Sequence, residues 1–398
     1  MIDLGKHLRF IIWGAWYGSG NLGDKALLLA IMDIINKVLQ FNTSFIIPTA
    51  KPEIIEQYLG DKKLSNSFPI HSRYGLFDFI SSFSNTDFFI FGGGVPFYDD
   101  FLHTISIAFI CVLSILFRVP VILWSVSSQK INSSFTKWVL RILVSRCSVM
   151  TCRDLKTLEL LKDCGANPQK ISIAPDPVFA MEFDEDTIGE QLLLRAGYNL
   201  SHPKKELVAL TPRTFRVHDG EAHTHYKPQD QSSQEKQIET YAAVLDWAVE
   251  NGYQPIFVPM NTVGLDDDRI AARIIIEKAK HGSEALLIDE NIDPRVIQGI
   301  YKHCKTGLVT RVHGAITSCI SGCPVVMYAF DQKHFGIMQM LKMDKWIFDP
   351  ITQKPQEVIQ LFDGIQSDYS SIHEQMQINV AVLKLNATSP IDQLLKNK

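Results

Sequence analysis

Residues 9–39 read RFIIWGAWYGSGNLGDKALLLAIMDIINKVL. Arg9–Trp13 is a short apolar run of strand length, and Gly18-Ser-Gly-Asn-Leu-Gly23 is too rich in glycine to be helical. Asp24–Leu39 then repeats apolar residues at the three-to-four spacing of a helix face. Strand, glycine loop and helix together are the opening of a βαβ unit, which places the strand in a parallel sheet.

The same alternation continues on either side of a polar break. Phe45–Ile47, Ile54–Leu59, Asp87–Phe91, the apolar helix 101–117, Val121–Trp124, a helix near Phe135–Ser145, Val149–Thr151 and Leu155–Cys164 follow in turn, and Gly165 ends the last helix. After Ile171–Ala174 and Pro175-Asp-Pro177, the charged and poorly periodic stretch 181–205 marks a domain boundary. A second series then runs through Leu207–Leu210, Ile238–Glu250, Pro255–Val258, Asp268–Lys280, Leu286–Ile288, Pro294–His303, Thr306–Thr310, Ala315–Ser321 and Val325–Tyr328. The pattern predicts an α/β protein with two Rossmann-like, doubly wound domains, 1–185 and 206–350, facing across a cleft. A helical tail, 351–398, is expected to pack back on the first domain. Residues 216–237, RVHDGEAHTHYKPQDQSSQEKQ, are too polar to pack and long enough to act as a lid.

Composition narrows the partners. The 398 residues are 46% apolar and 21% charged, which fits a folded globular chain and excludes extensive disorder. Thirty-nine basic residues against 43 acidic ones leave a formal charge of −4, which excludes an overall basic field that attracts nucleic acid without sequence preference and leaves room for a local basic cluster. Seven cysteines, at 111, 147, 152, 164, 304, 319 and 323, lack the paired spacing of a zinc ribbon and suit a reducing cytoplasm as small buried hydrophobes. The N-terminus shows no signal peptide. Thr104–Phe117 gives ~14 apolar residues where ~20 are needed to span a bilayer, and Arg118 and Pro120 interrupt it. A buried helix is the favoured reading, with peripheral contact to the inner face of the cell membrane as the alternative.

The candidate chemistry lies just after strands. Gly18-Ser-Gly-Asn-Leu-Gly23 matches G-x-G-x-x-G, but a dinucleotide site also needs an acid about 20 residues on, where this chain has Pro48-Thr-Ala-Lys51. What survives without a nicotinamide cofactor is a loop whose backbone N–H groups, around Gly18, Gly20, Asn21 and Gly23, open a helix toward an anion. Asp24 either caps that helix or reaches a ligand hydroxyl. Gly92, Gly93 and Gly94 form a second loop after a buried strand, read as close approach to a ligand. Arg213 ends the first strand of the second domain. Arg311 and His313, two apart on an extended segment, point the same way. A guanidinium fork grips carboxylate or phosphate, and an imidazole titrates where acid/base work is done. The plainer alternative for this pair is a structural ion pair and a capping histidine. Lys333 adds a further positive charge. His218, His223 and His225 lie on the polar loop with nothing to fix coordination, so no metal is expected, and Asp266-Asp-Asp268 reads as a capping run.

Taken in order, Gly18-Ser-Gly-Asn-Leu-Gly-Asp24, Gly92-Gly-Gly94, Thr151-Cys-Arg153-Asp154, Ala174-Pro-Asp176-Pro177, Arg213, Arg311-Val-His313 and Asp331-Gln-Lys333 resemble the polysaccharide pyruvyl transferase family over nearly the whole chain. The resemblance implies a GT-B-like architecture and phosphoenolpyruvate as donor substrate, with no cofactor. It also implies transfer of the enolpyruvyl unit onto two hydroxyls of a sugar as a cyclic ketal, with release of phosphate. The acceptor would be a capsule or exopolysaccharide sugar, or its lipid-linked oligosaccharide precursor, bound on the first domain, with the donor on the second. On that reading Arg213, Arg311 and Lys333 hold the donor's carboxylate and phosphate, and His313 is the acid/base. Val312 and Phe330 depart from the leucine or methionine and the tyrosine usual at those places. A nucleotide-sugar glycosyltransferase of the same architecture, and a non-catalytic anion- or saccharide-binding protein, are the competing expectations.

Overall fold

The computed structural model describes residues 7–396 apart from 15–16, 18–19, 41, 50–51, 53–54, 56–63, 69–72, 184–185, 202–204 and 215–230. Two compact units emerge: Met1–Ser19, Asp24–Glu182 and Leu383–Lys398 make up the first, and Gly20–Gly23 with Phe183–Val382 the second. The short glycine segment thus packs with the unit that follows it in sequence.

The first unit is built on β1 (Leu8–Trp13), β2 (Thr43–Pro48), β3 (Leu64–Phe68), β4 (Phe88–Gly92), β5 (Val121–Val126), β6 (Cys147–Cys152) and β7 (Ile171–Ile173). They form one sheet ordered β3-β2-β1-β4-β5-β6-β7, all pairings parallel. Strands buried on both faces need continuous apolar sequence, and the FIIW of β1, FFIF of β4 and VILW of β5 supply it. Ile11, Phe89, Phe91, Val121 and Leu123 share a core with Ile110, Leu140 and Leu161, so the helices Phe101–Leu116, Ser134–Arg146 and Leu155–Asp163 cover one face. Phe10, alternating with Ile11, packs instead with Phe45 and Phe88, its ring centroid 5.9 and 5.5 Å from theirs.

Sequence order along the sheet reverses between β1 and β4, whose register pairs Ile12 with Ile90 and Trp13 with Phe91. The second unit repeats the plan with β8 (Leu207–Thr211), β9 (Gln254–Phe257), β10 (Leu286–Leu287), β11 (Cys304–Val309), β12 (Val325–Tyr328) and β13 (Ile347–Phe348), ordered β10-β9-β8-β11-β12-β13 and again parallel. Its reversal falls between β8 and β11. Beyond the carboxyl ends of such a pair, doubly wound sheets bind ligands.

Both units are doubly wound α/β sheets, as the alternation predicts. Several elements differ from expectation. The helix after β8 spans Gln231–Glu250 and starts seven residues before the expected Ile238, because Gln237 turns inward and is buried while its polar neighbours face out. Only 216–230 of the expected polar loop remain beyond that helix, and they lie outside the described residues, as do His218, His223 and His225. The helix at 54–59 also lies outside them, apart from Ile55. Expected as a helix over 294–303, the chain forms one only at Gln298–Tyr301. All seven cysteines are buried and unpaired by disulfide.

Candidate functional site

At the second unit's reversal point, Thr211 ends β8 opposite Val309 of β11. A buried network fixes the segments that leave these strands. The Tyr241 hydroxyl donates to the Thr211 carbonyl at 2.8 Å and lies 2.7 Å from the Thr310 hydroxyl. The Gln237 amide donates to the Arg213 carbonyl at 2.7 Å, and the Thr211 and Tyr301 hydroxyls are 2.9 Å apart. Three predicted catalytic residues, Arg213, Arg311 and His313, therefore sit on backbone held from beneath by fully buried side chains.

Arg311 makes a two-pronged ion pair with Asp268: Nη2 donates to Oδ1 at 2.6 Å and Nε to Oδ2 at 3.2 Å. Asp268 is completely buried, and it also accepts from the backbone N–H groups of Thr214 at 3.2 Å and Met260 at 3.1 Å. Burial pushes its carboxyl up, against the opposing pull of Arg311 and, further off, of Arg213. The sequence reads Asp268 as part of a capping run. The cap itself is Asp267, which accepts from the Arg269 N–H, while Asp268 orients Arg311. No local signal could disclose that pairing, because it spans 43 residues.

The helix Val312–Ile320 begins directly after Arg311, so His313 lies in a helical first turn, and the extended geometry expected for the pair ends at Arg311. A β-strand's two-residue period therefore does not set where His313 points. Its ring packs on Gly23: a Cβ built there would stand 2.1 Å from His313 Nδ1. The glycine segment is seated on this unit by an Asn21–Asn261 bridge and a Leu22 N–H to Met260 carbonyl bond of 2.9 Å. Asn21 caps the helix Leu22–Val38 by accepting from the Gly23 N–H at 2.8 Å. Gly20 has φ +84° and lies against Val263.

Positive charge gathers at the same strand ends. Arg213 stands over the Phe330 ring at 5.7 Å, and Lys333 Nζ is 3.7 Å from Asp331 Oδ2. Asp331 caps the helix Gln332–Met340 in a reciprocal box with His334, whose Nδ1 is 3.1 Å from the Asp331 N–H. His334 is buried; desolvation, then Lys333, then Arg213, hold its pKa well below the usual histidine range, so it is neutral near pH 7. Sequence reasoning passed over His334 because a buried capping role leaves no motif.

Asp24 and Gly92–Gly94 lie in the first unit, and Gly18 lies outside the described residues. The three glycines have structural explanations in the chain itself. A Cβ on Gly92 would sit 2.6 Å from the Tyr17 hydroxyl and one on Gly93 2.7 Å from Leu27, while Gly93 and Gly94 take φ of +66° and +67°. Arg153 pairs with the fully buried Asp176 at 2.6 Å and donates to the Gly94 carbonyl at 3.1 Å, which pins the loop to the ends of β6 and β7. The Tyr17 hydroxyl donates to the Gly92 carbonyl at 2.9 Å, and burial with the nearby Asp24 and Asp176 carboxylates pushes its pKa up.

The chain is similar to known proteins in sequence and in fold. The family model described as polysaccharide pyruvyl transferase matches residues 21–332. The amylovoran biosynthesis protein AmsJ of Erwinia amylovora is 22% identical over 242 residues, which are 60% of this chain and 56% of AmsJ; the chain thus matches just over half of that relative's length. Among solved structures, the UDP-GlcNAc 2-epimerase of Neisseria meningitidis superposes with a TM-score of 0.62 at 13% identity, covering 98% of this chain and 99% of that one. A glycosyltransferase from Rickettsia africae gives 0.60 at 10% identity, covering 98% and 97%. These two likenesses are of fold alone. With the match running from Asn21 through Gly92-Gly-Gly94 and the Arg311-Val-His313 segment to residue 332, the chain belongs to the polysaccharide pyruvyl transferase family.

Proposed function

We propose that this protein transfers the enolpyruvyl unit of phosphoenolpyruvate onto two hydroxyls of a sugar, forming a cyclic ketal and releasing phosphate. The observation that carries the reading is the gathering of Arg213, Arg311 and Lys333 with His313 at the ends of β8, β11 and β12 in a member of this family. A small trianion suits such a site, since guanidinium forks bind carboxylate and phosphate oxygens in pairs. Asp268 holds Arg311 in one orientation, so less side-chain freedom is lost when the donor arrives.

The chemistry balances without redox change. His313, protonated, gives its proton to the methylene carbon of the donor, leaving an oxocarbenium-like centre at the carbon bearing phosphate. One sugar hydroxyl adds there and its proton passes to the bridging phosphate oxygen; the carbon–oxygen bond then breaks and phosphate leaves carrying that proton. The neighbouring hydroxyl closes the ring and its proton returns to the now neutral imidazole. The acceptor in this scheme is a sugar of an exopolysaccharide or capsule, or its lipid-linked precursor, handled in the cytoplasm at the inner membrane face, with the acceptor on the first unit and the donor on the second.

His313→Ala should lower turnover about 10²–10⁴-fold while donor binding stays measurable, whereas Arg311→Ala should weaken donor binding by about one to two orders of magnitude. Turnover by phosphate release and binding by calorimetry separate the two effects. Near-normal turnover in the histidine variant would remove His313 from its role. Release of a nucleoside diphosphate from a nucleotide sugar, in place of phosphate from phosphoenolpyruvate, would replace the whole reading with glycosyl transfer.

A further inference from the structure

The first unit exposes an apolar face that the transfer chemistry leaves unused. Residues 101–146 contain Arg118, Lys130, Lys137, Arg141 and Arg146 and no Asp or Glu, in a chain where acids outnumber bases by 43 to 39. Within that span, the helices Phe101–Leu116 and Ser134–Arg146 pack against each other on one face of the sheet. Their inner stripes join the core through residues such as Ile110 and Leu140.

The outer stripe of the first helix does not turn polar, as a solvent-facing helix normally would, and that of the second sets Phe135 and Trp138 beside Arg141. Leu102, Leu116, Phe101 and Trp138 are 74%, 69%, 68% and 55% exposed. Phe101 and Phe135 have ring centroids 5.9 Å apart, and Phe135 and Trp138 6.2 Å, so three aromatic rings stand in a row across the two helices. The two acids just before this span make local hydrogen bonds. Asp100 caps the first helix through the His103 N–H, and Asp99 accepts from the Asn132 and Ser133 N–H groups. Arg118 follows the first helix by two residues and Arg141 comes three residues after Trp138 on the second; both are exposed, as is Lys130.

We propose that this face docks on the surface of an anionic lipid bilayer. Apolar and aromatic side chains sunk ~5–10 Å into the headgroup region, with cations beside them, are the chemistry of an interfacial helix pair. Crossing is excluded for these helices, since no described helix is long and apolar enough to span a membrane. A second copy of the chain is the poorer occupant: in a two-fold contact the same face meets itself, and its cations would oppose cations. The lipid-linked acceptor proposed above gives docking a purpose, but the inference itself stands on the exposed stripe and its charge.

Sedimentation of the full chain with vesicles tests it. Binding should be weak to phosphatidylcholine, strong when phosphatidylglycerol is included, and reduced by salt. Phe101→Ser combined with Trp138→Ser should lower partition about tenfold or more, and Arg141→Gln about fivefold. All these positions are exposed, so thermal melts and turnover on a water-soluble acceptor should stay unchanged. Equal binding with and without phosphatidylglycerol, or no effect of the substitutions, overturns the inference. Absence of vesicle binding together with a dimer that the double variant dissociates also overturns it, in favour of self-association. The assay reads no chemistry: a chain that binds vesicles but releases no phosphate fails the transfer reading alone, and the reverse result fails docking alone.

Discussion

At the scale of single residues, Asp268 and His334 carry consequences that their neighbours in sequence do not suggest. Asp268→Asn leaves the Arg311 guanidinium nearly buried without its carboxylate, 12% of its side chain being exposed. Breaking such a pair should cost about 3–5 kcal/mol in denaturant unfolding, and should raise the KM for donor more than it lowers kcat. His334 is held neutral in the folded chain, with a pKa well below the usual value of about 6.5. The unfolded chain takes up that proton first as pH falls. Its contribution is therefore complete above pH ~6.5 and is lost progressively below it, with a slope of at most about 1.4 kcal/mol per pH unit. His334→Asn, which keeps an acceptor for the Asp331 N–H, should flatten this part of the stability profile; an unaltered slope between pH 5 and 6.5 would assign it to other groups.

At the scale of elements, two short features make specific demands. Gly23 sits in the first turn of the helix Leu22–Val38, where the His313 ring occupies the space a side chain would need. The glycine loop was legible in the sequence, and so was the helix it opens. That one glycine makes room for the candidate acid/base was not legible, because the contact spans 290 residues of sequence. Gly23→Ala should displace the imidazole with little change in melting temperature and lower turnover at least about tenfold. The helix Phe101–Leu116 is capped by Phe117 and followed by Arg118, a non-glycine residue with φ +57°. Arg118→Gly should stabilise the chain by about 1 kcal/mol by relieving the left-handed conformation, and in the same protein should weaken vesicle binding.

Edges were the least readable elements. β3, LSNSF, has a polar interior and borders only β2, and β13 is two residues long. Neither carries the apolar run that announces a central strand such as β4. The helix Gln231–Glu250 opens with QSSQEKQ, which lacks an apolar stripe, and only the inward turn of Gln237 shows why it is helical.

At the scale of the molecule, strand and helix alternation was enough for two doubly wound sheets, because parallel sheets force long apolar runs at regular intervals. Net charge was less informative. An average of −4 hides an acid-free stretch over 101–146 and a cationic cluster at the ends of β8, β11 and β12. The central claim, that this cluster handles phosphoenolpyruvate, is tested most directly by incubating the purified chain with phosphoenolpyruvate labelled with carbon-13 at its phosphate-bearing carbon, together with an oligosaccharide acceptor. Nuclear magnetic resonance then follows the label. The account predicts acceptor-dependent phosphate release with the label moving into a ketal carbon on the sugar, both abolished by His313→Ala. Label that stays in the donor with active wild-type protein, while a nucleoside diphosphate is released from a nucleotide sugar, would contradict it.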